Sequence, residues 1–153
     1  MNNYEINVDT LAILPYEEGK SKVIESKREI IVNCLPIDII DNSCKFFGST
    51  YDGRFNGTKD MLGISHKSPI LIEESKKIIF FPTKSPRLID CAWISLSNIE
   101  SYERVPEGSL IKFYCGKTLK IELSYGILDN QVLRATRLES ILNKRIGFLC
   151  KNI

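Results

Sequence analysis

The chain has 153 residues, 43% of them hydrophobic and 26% charged, and a formal net charge of +2. That is the length of one domain, residues 1–153, with enough apolar side chain for a sizeable core. No apolar run approaches the length of a membrane-spanning helix, and MNNYEINVDT lacks the basic start and apolar block of a secretory signal, so the expected location is cytoplasmic.

The first third reads as β. YEINV alternates Tyr4, Ile6 and Val8 on one side, TLAILP is a short apolar run, and KVIES and EIIVNC follow beyond the EEGKSK turn. Together they predict an antiparallel meander. Pro36 suits a first helical turn, and Ile37, Ile40, Cys44 and Phe47 recur at helical spacing up to Gly48, so a short helix follows. Residues 48–69 carry too many Gly, Ser, Asn and Asp for a regular element throughout, which predicts a long loop with at most a helical turn near Thr58–Leu62. PILIEE, KKIIFFPT and CAWISL read as strands, the second buried because it is continuously apolar. SLIKFYCGKTLKIELSY is a hairpin, with Ile111, Phe113 and Cys115 facing Leu119, Ile121 and Leu123. An amphipathic helix spans about Asp129 to Ile146, capped by Asp129 or Asn130. Leu128, Val132, Ala135, Leu138, Leu142 and Ile146 share its apolar arc; Arg134, Arg137, Lys144 and Arg145 lie opposite, with Leu133 and Ile141 among them. The fold class is therefore α+β, an antiparallel sheet or sheets with a short helix after the N-terminal meander and a C-terminal amphipathic helix.

Catalysis has little to stand on. The one histidine, His66, is the sole ordinary base for a nucleophile, and neither a GxxxxGK[ST] loop nor a GxGxxG occurs. The five cysteines (Cys34, Cys44, Cys91, Cys115 and Cys150) show no CxxC pair, so free thiols are expected, several of them buried, with no metal and no cofactor. The charge is segregated: residues 1–44 hold four basic and eight acidic side chains, residues 45–89 eight basic and four acidic. An excess of cations in the middle of the chain points to an anionic partner.

Most of the stretch SCKFFGSTYDGRFNGTKDMLGISHKSP suits such a partner. Lys45, Arg54, Lys59, His66 and Lys67 are spread among glycines and small hydroxyl side chains, and Ser49 and Thr58 can donate to phosphates. Arg54, between glycines, could enter a narrow minor groove. Phe46, Phe47, Tyr51 and Phe55 could stack on bases or belong to the core, and Phe47 is assigned to the core. Lys84 and Arg87 of TKSPR and Arg134 and Arg137 of the last helix complete the expected DNA-binding set. Leu133 and Ile141, apolar on a basic helix side, suggest an oligomer interface.

DNSCKFFGSTYDGRFNGTKDMLGISHKSPILIE, IIFFPTKSP, CAWISLSNI and GKTLKIELSYGILDNQVLRATRLESILNKRI are similar, in order and over Ile6 to Ile146, to the family of the competence transcription factor ComK. Cys44–Gly48, Gly53–Arg54, Gly57–Thr58, Ser65–Pro69 and Pro82–Pro86 carry the pattern. The resemblance implies a DNA-binding activator of competence genes that recognises A/T-rich boxes of double-stranded DNA through the minor groove and works as a homo-oligomer. It also implies RNA polymerase and a proteolytic adaptor as further partners. Members from Bacillus continue well past the last helix, where those tail-dependent properties lie, and this sequence stops at Ile153. A protein-interaction or oligomerisation module and an RNA-binding domain are the alternative readings.

Overall fold

The computed structural model describes the backbone of residues 1–151 and the side chains of residues 1–149. Nine strands and three helices form among the described residues. Strands β1 (Thr10–Pro15), β2 (Ser21–Glu25) and β3 (Glu29–Val32) make the expected meander. Helices α1 (Pro36–Phe46) and α2 (Tyr51–Leu62) follow, then β4 (Ile70–Glu73), β5 (Ile78–Pro82) and β6 (Trp93–Ser95). Strands β7 (Ile99–Val105), β8 (Gly108–Phe113) and β9 (Thr118–Ile121) precede α3 (Tyr125–Lys151). The fold is α+β. One antiparallel sheet has six strands in the order β3-β2-β1-β6-β5-β4, and a second has three in the order β7-β8-β9.

The six-stranded sheet is buried on both faces, and its central strands divide their side chains between two cores. Ile13, Val23, Phe80 and Trp93 join Ile39, Ile40 and Cys44 of α1 in one cluster. Their chain neighbours Ala12, Ile24, Phe81 and Ile94 join Ile111 and Phe113 of β8 and Leu128, Ala135 and Leu138 of α3 in the other. The alternation follows from the period of a strand, and it explains why IIFFP is continuously apolar. Helix α1 and the start of α2 thus cover one face of the sheet; α3 and the small sheet cover the other.

Four local expectations are corrected. YEINV adds no strand: Tyr4 and Ile6 are buried, but Val8, expected on the same side, is exposed, and the Ile6 amide donates to Ser43 Oγ of α1 at 3.0 Å rather than to a ladder. The second is the stretch expected to be a loop, of which residues 51–62 form three turns of helix α2. Thr50 caps that helix by accepting from the Gly53 amide at 2.9 Å, and Asp41 Oδ1 accepts from the Tyr51 amide at 2.9 Å. Asp52 lies in the first turn, Lys59 in the last, and Gly63 ends the helix at φ 71°. Third, α3 starts one turn before the expected site. Ser124 Oγ accepts from the Ile127 amide at 3.3 Å, and Asp129 instead accepts from the Tyr102 hydroxyl at 2.6 Å. Fourth, Phe47 is not core: it lies at the surface, edge to face with Phe46 at a centroid distance of 5.1 Å.

Among the described cysteines Cys34, Cys44, Cys91 and Cys115 are free thiols, Cys44 and Cys91 buried and Cys115 exposed. The side chain of Cys150 lies outside the described residues.

Candidate nucleic-acid interface

The segment after α2 is fastened from below. Thr58, buried on the last turns of α2, donates its hydroxyl to the Pro69 carbonyl at 3.0 Å. Gln131 of α3, also fully buried, donates Nε2 to the Lys67 carbonyl at 3.0 Å and to the Pro82 carbonyl at 2.7 Å. Arg134, one helical turn on, donates to the His66 carbonyl at 3.3 Å and to Gln131 Oε1 at 3.3 Å. With its carbonyls turned down to α3, Lys67 takes a left-handed backbone, φ 50°. For a lysine that conformation is unfavourable, and the buried glutamine offsets it.

The loop between β5 and β6 is braced as firmly. The Thr83 amide donates to the Ala92 carbonyl at 2.9 Å, the Ala92 amide donates to Thr83 Oγ1 at 3.0 Å, and Lys84 is paired with Asp90 across the loop base. The Leu88 amide donates to the Ser85 carbonyl at 2.9 Å, turning the chain at its tip.

Between these loops and the start of α2 lies an open groove of about 280 Å³. Tyr51 and Phe55 form one wall, their rings stacked at 6.1 Å, with Trp93 edge-on behind Tyr51 at 6.2 Å. Ser65, His66 and Lys67 form the second wall, and Ser85, Pro86 and Arg87 the third. Asp52 is the acidic group on the rim. Burial pushes the Tyr51 hydroxyl pKa up to about 12, so it stays a neutral donor at physiological pH. Two cations, an imidazole, two serines and two aromatic faces therefore meet in one concave surface. It can hold phosphates by charge and hydrogen bonds, and offer flat apolar faces to sugars or bases.

Of the expected set, His66, Lys67 and Arg87 converge on this groove. The others are placed differently. Arg134 lies beneath the loop as a support, and Arg137 is exposed on α3. Thr58 is corrected from phosphate donor to fastener, because its hydroxyl is buried and already donating to Pro69. Arg54 is corrected too: it lies within a helix, not on a flexible loop, its side chain is 19% exposed, and it pairs with Glu74 at 3.0 Å. Ser49 and Arg54 line a separate recess with Glu73 and Glu74, whose carboxylates repel phosphate. Lys45 pairs with Asp41 at 3.0 Å, Lys84 with Asp90, and Lys59 is exposed on the last turn of α2. Leu133 is 59% exposed, whereas Ile141 is half-buried against the second core, which removes it from a free outer face. Gln131 went unnoticed in the sequence, although a lone amide on the apolar side of an amphipathic helix is its signal. Among the described residues no cluster of three or more His, Cys, Asp or Glu is placed to hold a metal ion, and no helix is long and apolar enough to cross a membrane.

The family model described as ComK protein matches residues 1–147. The chain belongs to the ComK family. It is 39% identical over 150 residues to the competence transcription factor of Bacillus subtilis (strain 168), covering 95% of this chain and 78% of that protein. No solved structure matches it significantly. Two walls of the groove come from the SHKSP and TKSP segments by which the sequence resembles the ComK family: these supply Ser65, His66, Lys67, Ser85 and Pro86, and Arg87 follows immediately after the second.

Proposed function

We propose that this chain activates transcription of competence genes by binding A/T-rich double-stranded DNA, as a homo-oligomer, through the groove between α2 and the 63–69 and 83–91 loops. The observation that carries the reading is the convergence of His66, Lys67 and Arg87 from two separate loops beside Tyr51 and Phe55. Membership of a family that includes a competence transcription factor supports it. Lys67, with Ser65 and Ser85, holds backbone phosphates, which fixes register but reads no sequence. The guanidinium that reads the narrow, strongly negative minor groove of A/T tracts is Arg87, which is exposed, rather than Arg54, which is held by Glu74.

Titration with an A/T-rich duplex, a G/C-rich duplex and single-stranded RNA tests this. The A/T-rich duplex should bind tightest, and its affinity should fall on the order of a hundredfold between about 50 and 200 mM salt as counterions are released. Tighter binding of RNA would move the chain to the RNA-binding reading. A flat salt profile, or no binding of any nucleic acid, would leave a protein-interaction module.

A further inference from the structure

The groove ends at an apolar tip. Leu88 is 52% and Ile89 80% exposed, consecutive in sequence and immediately after Arg87. Pro86 and Arg87 line both the basic groove and a small recess that Ile37, Leu88, Ile89 and Trp93 share on the other side. The arginine therefore divides a phosphate-binding surface from a hydrophobic one.

A single exposed leucine needs no explanation, but a pair presented together on a fixed turn does. The turn is fixed: the Leu88 amide donates to Ser85, the Cys91 amide donates to the Leu88 carbonyl at 3.2 Å, and the Lys84–Asp90 pair closes the base. That pair also neutralises the one carboxylate in the loop, which would otherwise repel phosphate. Two other adjacent pairs are exposed among the described residues, and neither has this setting: Phe148 and Leu149 lie near the end of α3, away from the groove lining, and Phe46 and Phe47 lie at the end of α1. For Phe46 and Phe47 the reason is local: their rings cover one another, and Phe47 lines the recess that holds Glu73 and Glu74.

We infer that Leu88 and Ile89 form a wedge that enters a base step of duplex DNA from the minor groove, next to Arg87. The inference rests on the DNA-binding reading above and adds to it a site and a mode. Apolar side chains on minor-groove proteins insert between bases and partly unstack them, and the unstacking is offset by the additional contacts that the opened groove permits. The loop suits this role: the tip is apolar, its conformation is set before binding, and the guanidinium assigned to the minor groove sits at the neighbouring residue, Arg87. Unstacking is easiest at a TA step and hardest within an uninterrupted A-tract. The wedge therefore gives this chain a preference among A/T-rich sequences that hydrogen bonding in the minor groove cannot give, since A·T and T·A present the same acceptors there.

The test uses the full chain and A/T-rich duplexes carrying 2-aminopurine at a TA step or within an A-tract, with anisotropy reporting affinity and 2-aminopurine fluorescence reporting unstacking. The native chain should raise the fluorescence several-fold at the TA step. L88A/I89A should lose that rise and about tenfold in affinity, with the salt slope and thermal midpoint unchanged because both side chains are at the surface. L88M/I89M, apolar and of similar size, should restore the rise. Binding with no rise at any position, or a rise that survives in L88A/I89A, overturns the wedge while the DNA-binding reading stands, and leaves the pair for a protein partner. Failure of the native chain to bind duplex overturns both.

Discussion

Arg134 of α3 donates to the backbone carbonyl of His66 at 3.3 Å, so the last helix grips the loop that carries two of the groove's basic side chains. Gln131 makes the same connection from a fully buried position and reaches the end of β5 as well. The site's geometry is thus set by side chains that need not touch DNA.

Gln131→Leu removes the donors to two carbonyls, those of Lys67 and Pro82. Leaving them unpaired should cost about 1–3 kcal/mol of stability. DNA affinity should fall too, under conditions where the variant is folded, because Lys67 no longer has a reason to keep its left-handed backbone. Urea unfolding followed by circular dichroism gives the first quantity and duplex anisotropy the second. An unchanged unfolding midpoint would mean that water serves both carbonyls.

Arg54 and Arg87 should separate cleanly. Arg54→Ala breaks a pair whose other member is well exposed, and should cost up to about 1 kcal/mol of stability while leaving DNA affinity within about twofold. Arg87→Ala should leave stability unchanged and cost about 1–3 kcal/mol of binding to an A/T-rich duplex, with a smaller loss on a G/C-rich one. Equal losses on both duplexes would make Arg87 a phosphate contact only. A large binding loss for Arg54→Ala would return the site to the other side of α2.

Much of this arrangement was legible in the sequence and some was not, for definable reasons. Alternation and apolar runs located eight of the nine strands and both the first and last helices. Strand β7 escaped because IESYERV is largely polar, exposed, and shifts register against β8 between Ile99 and Ser101. Helix α2 escaped because Gly53 and Gly57 each disfavour a helix by roughly 1 kcal/mol, whereas Thr50, Asp52, Lys59 and Gly63 are good end signals. Packing of Thr58 and Leu62 into the protein decides the outcome. That same change from loop to helix moved Arg54 away from Lys67. His66, Lys67 and Arg87 were visible as cations, but their meeting depends on β5 lying beside β4 and on Gln131, which no local pattern specifies.

Acid should destabilise the N-terminal meander in a definable way. Glu25 is buried on β2; burial pushes its carboxyl pKa up, but hydrogen bonds from Arg28, at 2.7 Å, and from Tyr4 outweigh this and hold it below the ordinary range. A carboxylate with a lowered folded pKa contributes stability above its unfolded pKa of about 4.3, and that contribution is lost as pH falls through the folded value. Glu25→Gln should therefore cost about 2 kcal/mol at neutral pH, and progressively less than that below about pH 4. Thermal midpoints of both proteins across that range check it; parallel pH curves would assign the acid sensitivity elsewhere.

The thiols should react in a fixed order. Burial pushes Cys44 up to about 11 and raises Cys91 as well, so neither offers thiolate at neutral pH. Cys115 lies exposed at the turn between β8 and β9. Among the described cysteines it should be modified first by a soluble disulfide reagent, with Cys44 and Cys91 released only by denaturant. Peptide mapping after a short exposure identifies the site. Early modification of Cys44 would show that α1 opens locally.

Ile13 pairs with Trp93 and Ala12 with Ile94, joining the meander to the strands that follow α2. On a ribosome the meander is therefore made long before β6 emerges to protect its inner edge. Closing that span carries a loop entropy that helices and hairpins do not, so β1–β6 pairing belongs among the slow steps of maturation. Until then β1 presents an apolar, unpaired backbone edge, the kind of surface that chaperones cover and that neighbouring nascent chains can zip onto. Chains that pair elsewhere before β6 arrives are lost to the native sheet, so the yield of folded protein follows the speed of sheet closure as well as the rate of synthesis.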